Sequence, residues 1–264
     1  MSYIKMLGAN ALTAIALTTA IFSIKNNDRT IANPQENINN LTPEEVLENT
    51  SRLTNERVTL RGEIERLESS LAFKIKDEAI FNTEEILVID RSGKSLPKLP
   101  EGEDTILQVS GEVSRFNWFD AVSKYNLDLP RNEFIQYENR PVIYADRVVL
   151  SPSPGEISKE PEDYYYKTVA VKAEVEDIKG YGVFTLEENA IFGGRDLLVI
   201  LPYGVQMPRE NNEVIVTGML RPFTMANFER SYNLTWDLDL KKEIEAEYTN
   251  RPVLIAKEVS TTDE

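Results

Sequence analysis

Apolar and polar residues alternate with a period of two between Val58 and Glu65. Val58, Leu60 and Ile64 alternate there with polar residues. This alternation is typical of a β-strand with one buried face. The same pattern predicts a second strand at residues 71–75 and a third, apolar throughout and therefore buried on both faces, at residues 86–89. Two longer strands are predicted at residues 106–113 and 141–150, and Gly111 is predicted to mark a bulge or bend in the first of them.

A second set of strands is predicted about 110 residues further along the chain. Segments 58–89 and 169–200 align without a gap at an offset of 111 and share the run Leu-Val-Ile at their ends. The motif Asn-Arg-Pro-Val also occurs twice, at residues 139–142 and 250–253. Self-similarity over this length predicts a duplicated domain. The second set of strands is expected at residues 169–176, 183–186, 197–201, 213–220 and 252–259.

Helices are predicted at two kinds of position. Thr42-Pro43-Glu44-Glu45 has the composition of a capping box and predicts a short helix to about Arg52. Residues 117–138 are expected to form a helical insert between the fourth and fifth strands.

The predicted organisation is a signal peptide or membrane anchor at 1–32, a linker and short helix at 33–55, barrels at 56–150 and 166–260, and a linker at 151–165.

The N-terminal segment is apolar. No residue from Met6 to Ile24 is charged, and Lys5 and Lys25 flank the run. It is interpreted as a signal peptide cleaved after Ala32, as an uncleaved anchor through residues 6–24, or as a buried cytosolic helix. In the first two cases the remaining chain is exported to the periplasm or the extracellular space, with membrane attachment in the second.

Composition excludes several chemistries. The 44 acidic and 29 basic residues give a net charge of −15, which opposes binding to nucleic acid and favours basic partners or divalent cations. The sequence contains no Cys and no His, so thiol nucleophiles, imidazole triads and the usual zinc and haem ligands are excluded. No catalytic residue, metal ligand or cofactor-binding residue is assigned, and no cofactor is expected.

Five short strands with glycine bends predict a small closed barrel. The motifs VTLRGEI, AIFGGRDLLVI and NRPVIYADRVV resemble those of exported bacterial OB-fold-like proteins over residues 56–150 and 166–260. The resemblance implies a mainly β chain with two tandem OB-like five-stranded barrels, secreted or periplasmic and without assigned catalytic residues. One feature departs from it, because an OB fold usually carries its helix between strands three and four.

Two sets of polar residues have alternative interpretations. Gly193-Gly194-Arg195-Asp196 is interpreted either as a loop that presents backbone N–H groups to an anion or as a turn. Several acidic residues could contribute oxygen ligands for Ca²⁺ or lie in solvated turns. These are Asp77, Glu78, Glu187, Glu188, Asp237 and Asp239.

The aromatic clusters and one arginine pair also have structural interpretations. Tyr164-Tyr165-Tyr166 and Trp118-Phe119 could stack nucleobases. The alternative is that the tyrosines pack between the domains and that Trp118 and Phe119 pack their helix on the barrel. Arg140 and Arg251 are expected to pair with Glu63 and Glu174.

Three functions are compatible with these features. The first is a non-catalytic, exported binding or structural module that binds an envelope protein or glycan in the groove between its domains. The second is a carboxylate-based, glycosidase-like hydrolase. The third is a nucleic-acid-binding OB protein, which both acidity and export oppose.

Overall fold

A computed structural model of the chain describes residues 38–78, 84–94, 96–99, 105–187, 196–202, 204–232 and 236–262. Residues 35–264 form one compact unit. The apolar segment 6–24, residue Glu188 and residues 193–195 lie outside the described residues.

The first half of the described chain contains six strands. They are β1 (Ile38–Leu41), β2 (Arg57–Leu67), β3 (Ala72–Lys76), β4 (Ile86–Asp90), β5 (Ile106–Arg115) and β6 (Pro141–Leu150). Helices α1 (Pro43–Glu48) and α2 (Thr50–Leu53) precede β2. Helices α3 (Trp118–Ser123) and α4 (Arg131–Phe134) and a 3₁₀ turn (Ile135–Tyr137) lie between β5 and β6, which is where the sequence predicts a helical insert.

The second half begins with helix α5 (Pro154–Lys159) and a 3₁₀ turn (Pro161–Asp163). Its strands are β7 (Thr168–Val175), β8 (Val183–Glu187), β9 (Leu197–Ile200), β10 (Glu213–Pro222) and β11 (Pro252–Thr261). Helices α6 (Met225–Tyr232) and α7 (Leu238–Tyr248) lie between β10 and β11.

Strands β2 to β6 close a barrel. β2 pairs with β3 and β5, β3 pairs with β4, β4 pairs in parallel with β6, and β6 pairs with β5. Closure removes the open edges that five short strands would otherwise expose. The prediction of a mainly β chain with a five-stranded barrel is thereby confirmed.

The N-terminal barrel explains why β4 is apolar at nearly every position. Ile86 and Val88 face the main hydrophobic core, whereas Leu87 and Ile89 face a second cluster. The helical insert supplies that second cluster with Ala121, Phe134 and Tyr137, among others. Because both faces of β4 are covered, each of its residues is buried, as the unbroken apolar run predicts.

Strands β7 to β11, here called the C-terminal strand group, follow the same cyclic order. β7 pairs with β8 and β10, β8 with β9, β9 in parallel with β11, and β11 with β10. Leu198 and Ile200 of β9 pack with Phe228 and Ile244 of the helices inserted before β11. The outer face of β9 is therefore covered in the same way as that of β4.

Two glycines allow close strand contacts at matching bulges. A Cβ on Gly111 would lie 2.5 Å from the carbonyl oxygen of Tyr144, and one on Gly218 would lie 2.3 Å from that of Ile255. The ladder registers shift beside both glycines, so that Asp146 and Lys257 are the extra residues on the partner strands. The predicted bulge at Gly111 is present, and the additional residue belongs to β6.

Residues 151–165, predicted as a linker, are largely helical instead. Ser153 and Glu156 form a capping box at the start of α5, as Thr42 and Glu45 do 111 residues earlier at α1. Composition alone suggested a linker because Pro and Ser are frequent in linkers, yet both residues also favour the start of a helix. Residues 151–165 are the structural counterpart of the segment that precedes β2.

Candidate functional site

A groove of about 380 Å³ lies where the N-terminal barrel meets the C-terminal strand group. Strands β2, β5, β7 and β10 contribute to its lining, together with the segment from Asn40 to Glu45 and with Thr262 beyond the end of β11. Its volume falls within the usual range for ligand pockets. This cavity lies between the two predicted domains, where the default candidate site is expected from the sequence.

The base of the groove is built from outward-facing strand residues that the second half covers. Thr59 and Ser110 share a hydrogen bond of 2.8 Å between their hydroxyl oxygens, and both are buried. Gln108 donates its side-chain amide to the hydroxyl of Thr217 at 3.2 Å, which links β5 to β10. These bonds satisfy polar groups that are removed from water when the halves pack together.

Two ion pairs lie in the groove, and the basic residue of each comes from β2 or β7. Arg61 of β2 pairs with Glu78 at 2.9 Å, and Lys172 of β7 pairs with Glu213 at 3.2 Å. Arg61 and Lys172 are 111 residues apart and so occupy matching positions. Glu213 also accepts a hydrogen bond of 2.9 Å from the hydroxyl of Thr262.

Arg61 is held by the chain between the halves as well as by Glu78. Its Nε donates to the hydroxyl of Ser151 at 2.7 Å, and one terminal nitrogen donates to the Ser151 carbonyl at 3.3 Å. Burial lowers the pKa of the Arg61 guanidinium, and the negative charges of Glu78, Glu156 and Glu213 oppose this effect. The side chain is thus fixed in a polar, largely desolvated position.

Burial raises the pKa of the Glu78 carboxyl above its ordinary value. The positive charges of Arg61 and Lys172 act in the opposite direction, whereas Asp77 and Glu63 add to the increase. The two basic residues therefore compensate the desolvation of this carboxylate only in part.

The two halves meet at two matching places beside these residues. At the first, here called the junction, the chain itself runs from Leu150 to Ser151, and Leu150 pairs in parallel with Val169 of β7. At the second, here called the seam, β1 pairs in parallel with β2, and the side-chain amide of Asn40 donates to the carbonyl of Thr261 at 2.6 Å.

Backbone hydrogen bonds confirm the correspondence between junction and seam. The N–H of Ser151 donates to Ile106 at 2.9 Å, and the N–H of Thr262 donates to Glu213 at 3.1 Å. The space beside them differs greatly. The cavity at the junction, which Ile106 and Ser151 help to line, measures about 10 Å³, whereas the groove at the seam measures about 380 Å³.

The acidic residues singled out as Ca²⁺ candidates are dispersed. Asp77 and Glu78 line the groove, while Glu187 is exposed at the end of β8. Asp237 caps α7 by accepting hydrogen bonds from the N–H groups of Asp239 and Leu240. Within the described part of the chain, no group of three or more candidate metal ligands comes together.

The predicted packing of the aromatic clusters holds for only some of their members. Tyr164 is buried in the main core, but Tyr166 is 63% exposed, and the Arg221 guanidinium lies 5.0 Å from its ring centroid. The Trp118 indole donates to the carbonyl of Leu129 at 3.0 Å and packs on the insert, whereas Phe119 is 70% exposed. The prediction that Phe119 packs on the barrel was wrong because α3 directs that position to solvent.

The predicted ion pair between Arg140 and Glu63 is also wrong. Glu63 pairs instead with Lys76 at 3.1 Å on the adjacent strand β3. Arg251, the counterpart of Arg140, donates to the backbone carbonyls of Glu247 and Asp196. Lys76 lies directly opposite Glu63 on the neighbouring strand, and such cross-strand pairs of opposite charge form ion pairs readily.

Sequence reasoning did not identify Arg61, Gln108, Lys172 or Glu213 as site residues. The repeat could have indicated two of these residues, because Arg61 and Lys172 occupy matching polar positions of β2 and β7. On an isolated barrel these positions would face solvent, so their role depends on how the halves pack.

Comparison with protein-family models gives no match, and comparison with curated proteins gives no significant one. Among the residues that the structure describes, no helix has the length and apolar character needed to cross a membrane.

Proposed function

We propose that this chain is an exported, non-catalytic binding module of two tandem OB-like barrels, which binds an envelope partner in the groove at its seam. The groove is the observation that carries the proposal. It combines a ligand-sized volume, hydrogen-bonded polar groups at its base and charged side chains held in fixed positions.

The tandem arrangement is supported by correspondences at an offset of 111. Asn139 and Asn250 both adopt a positive φ, as do Asn55 and Tyr166. The capping boxes and the cyclic strand order also recur. Finally, Arg147 contacts its own counterpart Glu258 at 3.5 Å, as matching residues next to a two-fold axis do.

Binding is favoured over acid–base catalysis by the state of the groove carboxylates. Glu78 and Glu213 are engaged in ion pairs with Arg61 and Lys172. Glu45 accepts a hydrogen bond from the N–H of Thr42 within the capping box. Each of these carboxylates already has a charged or hydrogen-bonding partner, which favours a role in positioning charge.

A carboxylate-based hydrolase is the second candidate, because burial raises the pKa of Glu78. A carboxyl with a raised pKa can act as a general acid. A screen with chromogenic glycosides separates the two functions. Turnover that disappears in Glu78→Gln would favour the hydrolase, and no turnover is expected for the binding module.

Export is tested by fractionation and intact mass of the native protein. We expect protein in the envelope, either lacking about the first 32 residues, as for a cleaved signal peptide, or at full length in membranes. Full-length protein in the cytosol would contradict export and revive the nucleic-acid hypothesis.

The groove is tested by thermal-shift measurements against envelope glycans and peptides. Thr262→Trp places an indole at the edge of the groove, and Ser123→Trp places one on the exposed surface of α3. We expect a ligand that stabilises the wild type to stabilise Ser123→Trp equally and Thr262→Trp weakly or not at all. Equal stabilisation of both variants would exclude the groove as the site.

A further inference from the structure

We infer that the groove at the seam binds an extended peptide segment bearing lysine or arginine side chains. The inference rests on the proposed function of the groove and adds the chemistry of its ligand. It depends on the balance of charge in the groove, on the state of its basic residues and on its apolar surface.

Carboxylates outnumber cations among the described residues that line the groove. Arg61 and Lys172 are the basic residues there, and four acidic residues face them. These are Glu45, Asp77, Glu78 and Glu213. A cleft with an excess of one sign of charge attracts the opposite sign, and the net charge of −15 acts in the same direction.

The two basic residues of the groove are already engaged. Arg61 directs its nitrogens at Glu78 and at the hydroxyl and carbonyl of Ser151. Lys172 pairs with Glu213. A cation can add to these pairs, since an ionised carboxylate accepts several hydrogen bonds at once, whereas an anionic ligand would be repelled by the paired carboxylates.

Glu78 in particular gains from an additional cation. Its side chain is 29% exposed, yet partial burial raises the pKa of its carboxyl, and the nearby charges of Arg61 and Lys172 do not fully offset this effect. A ligand ammonium or guanidinium group at this place would restore compensation and form a charge-assisted hydrogen bond.

The remaining lining matches the stem of a long basic side chain. Leu41 provides partly exposed aliphatic surface beside the carboxylates, and Ile215 adds a smaller area, being 6% exposed. Lysine and arginine bury their methylene groups on such surface while the charged end stays among polar groups. The described residues that line this groove include no aromatic ring, so they offer no platform for stacking a nucleobase.

The junction serves as an internal control for the groove. It carries the same backbone hydrogen bond and the same capping box, yet its cavity measures only about 10 Å³. A ligand-sized space is therefore not a general result of packing two such halves together, because of these two places the seam has one and the junction does not.

The test uses the full chain and a fluorescent, capped pentapeptide with two lysines. Two control peptides carry acetyl-lysine or glutamate at the same positions. We expect the lysine peptide to bind with an affinity that falls as salt is added, and the acetylated peptide to bind at least about tenfold more weakly, because hydrogen bonds to charged groups are the stronger ones. The glutamate peptide should not bind.

Glu78→Gln and Glu213→Gln are each expected to weaken binding of the lysine peptide by about tenfold. Glu245→Gln, on the exposed surface of α7, is the matched control and should leave binding unchanged. The peptide controls require no change to the protein, so the inference can be tested even if a groove variant folds poorly.

Two results would overturn the inference. One is equal binding of lysine and acetyl-lysine peptides, or no binding of either. The other is lysine binding that survives both groove substitutions. If instead a neutral glycan binds and Thr262→Trp abolishes its binding, the inference fails while the proposed function stands.

Discussion

The seam and the junction are two versions of the same contact, and they differ in the continuity of the chain. At the junction the peptide backbone passes directly from Leu150 to Ser151, which are 2% and 0% exposed. At the seam the ends of β11 and β1 are separate pieces of chain joined by a hydrogen bond from Asn40 to Thr261.

This difference shows where two similar strand groups can leave a cavity between them. A continuous chain brings its residues into contact at fixed short distances, and the junction is consequently filled. Separate chain segments need to meet only at a few atoms, so the seam can hold a cavity of about 380 Å³ without losing the strand pairing around it.

The largest difference is expected between Leu150→Ala and Thr261→Ala, which lie 111 residues apart. Leu150 is buried in the main core, so its truncation should lower the free energy of unfolding by about 2–5 kcal/mol. Thr261 is partly exposed, and its truncation should cost less than about 0.5 kcal/mol. Urea unfolding of both variants measures the difference, and equal losses would mean that the seam is packed as tightly as the junction.

A smaller contrast is expected between Ser151→Ala and Asn40→Gly. Ser151 accepts from Arg61 in partly buried surroundings and donates to the buried carbonyl of Ala170, so its loss should cost about 1–3 kcal/mol. Asn40 donates a partly buried hydrogen bond at a positive φ of 63°, which Gly also tolerates, so its replacement by Gly should cost about 1 kcal/mol. Thermal denaturation distinguishes them, and a greater loss for Asn40→Gly would reverse the assigned roles of the two places.

Loss of either capping box is expected to lower the free energy of unfolding by the same amount. Ser153→Ala and Thr42→Ala each remove a helix cap, so each should cost about 1 kcal/mol. Only Thr42 lines the groove, so only Thr42→Ala should also alter ligand affinity. Unfolding and binding measured on the same samples test this separation. Equal effects on binding would indicate that α1 and α5 contribute to the site alike.

Much of the fold could be predicted because local rules and tertiary packing agree. The alternation in β2, the unbroken apolar run of β4 and Pro141 at the start of β6 each indicated an element that the structure contains. Helix α5 within the proposed linker at residues 151–165 was not predicted from the sequence, because Ser153 and Pro154 satisfy both linker composition and helix capping. Only the comparison with Thr42 and Pro43 distinguishes the two.

The repeat could indicate where the candidate site lies, but the sequence could not indicate which residues line it. That a groove between the halves was the default site followed from the repeat, whereas the ion pair of Arg61 with Glu78 spans two elements whose approach depends on barrel closure. The contact of Asn40 with Thr261 joins residues 221 positions apart, and no periodic pattern encodes such a pair.

The smallest predicted effect is a pH dependence of stability caused by Glu78, which lines the groove at the seam. Because burial raises its pKa in the folded protein, Glu78 retains its proton to a higher pH than the same residue in the unfolded chain. Above about pH 4, where an unfolded glutamate begins to ionise, the folded state therefore binds more protons than the unfolded state. The contribution of Glu78 to stability must then decrease as pH rises through this window.

Glu78→Gln removes this titration, so its melting temperature relative to wild type should shift in favour of the variant between pH 4 and pH 7. Glu245→Gln, on exposed α7, should show a constant difference over the same range. A lysine peptide bound in the groove would supply the missing charge and should reduce the pH dependence of the wild type. If the melting curves of wild type and Glu78→Gln stay parallel across this range, Glu78 is not the under-compensated carboxylate on which the proposed recognition of cations depends.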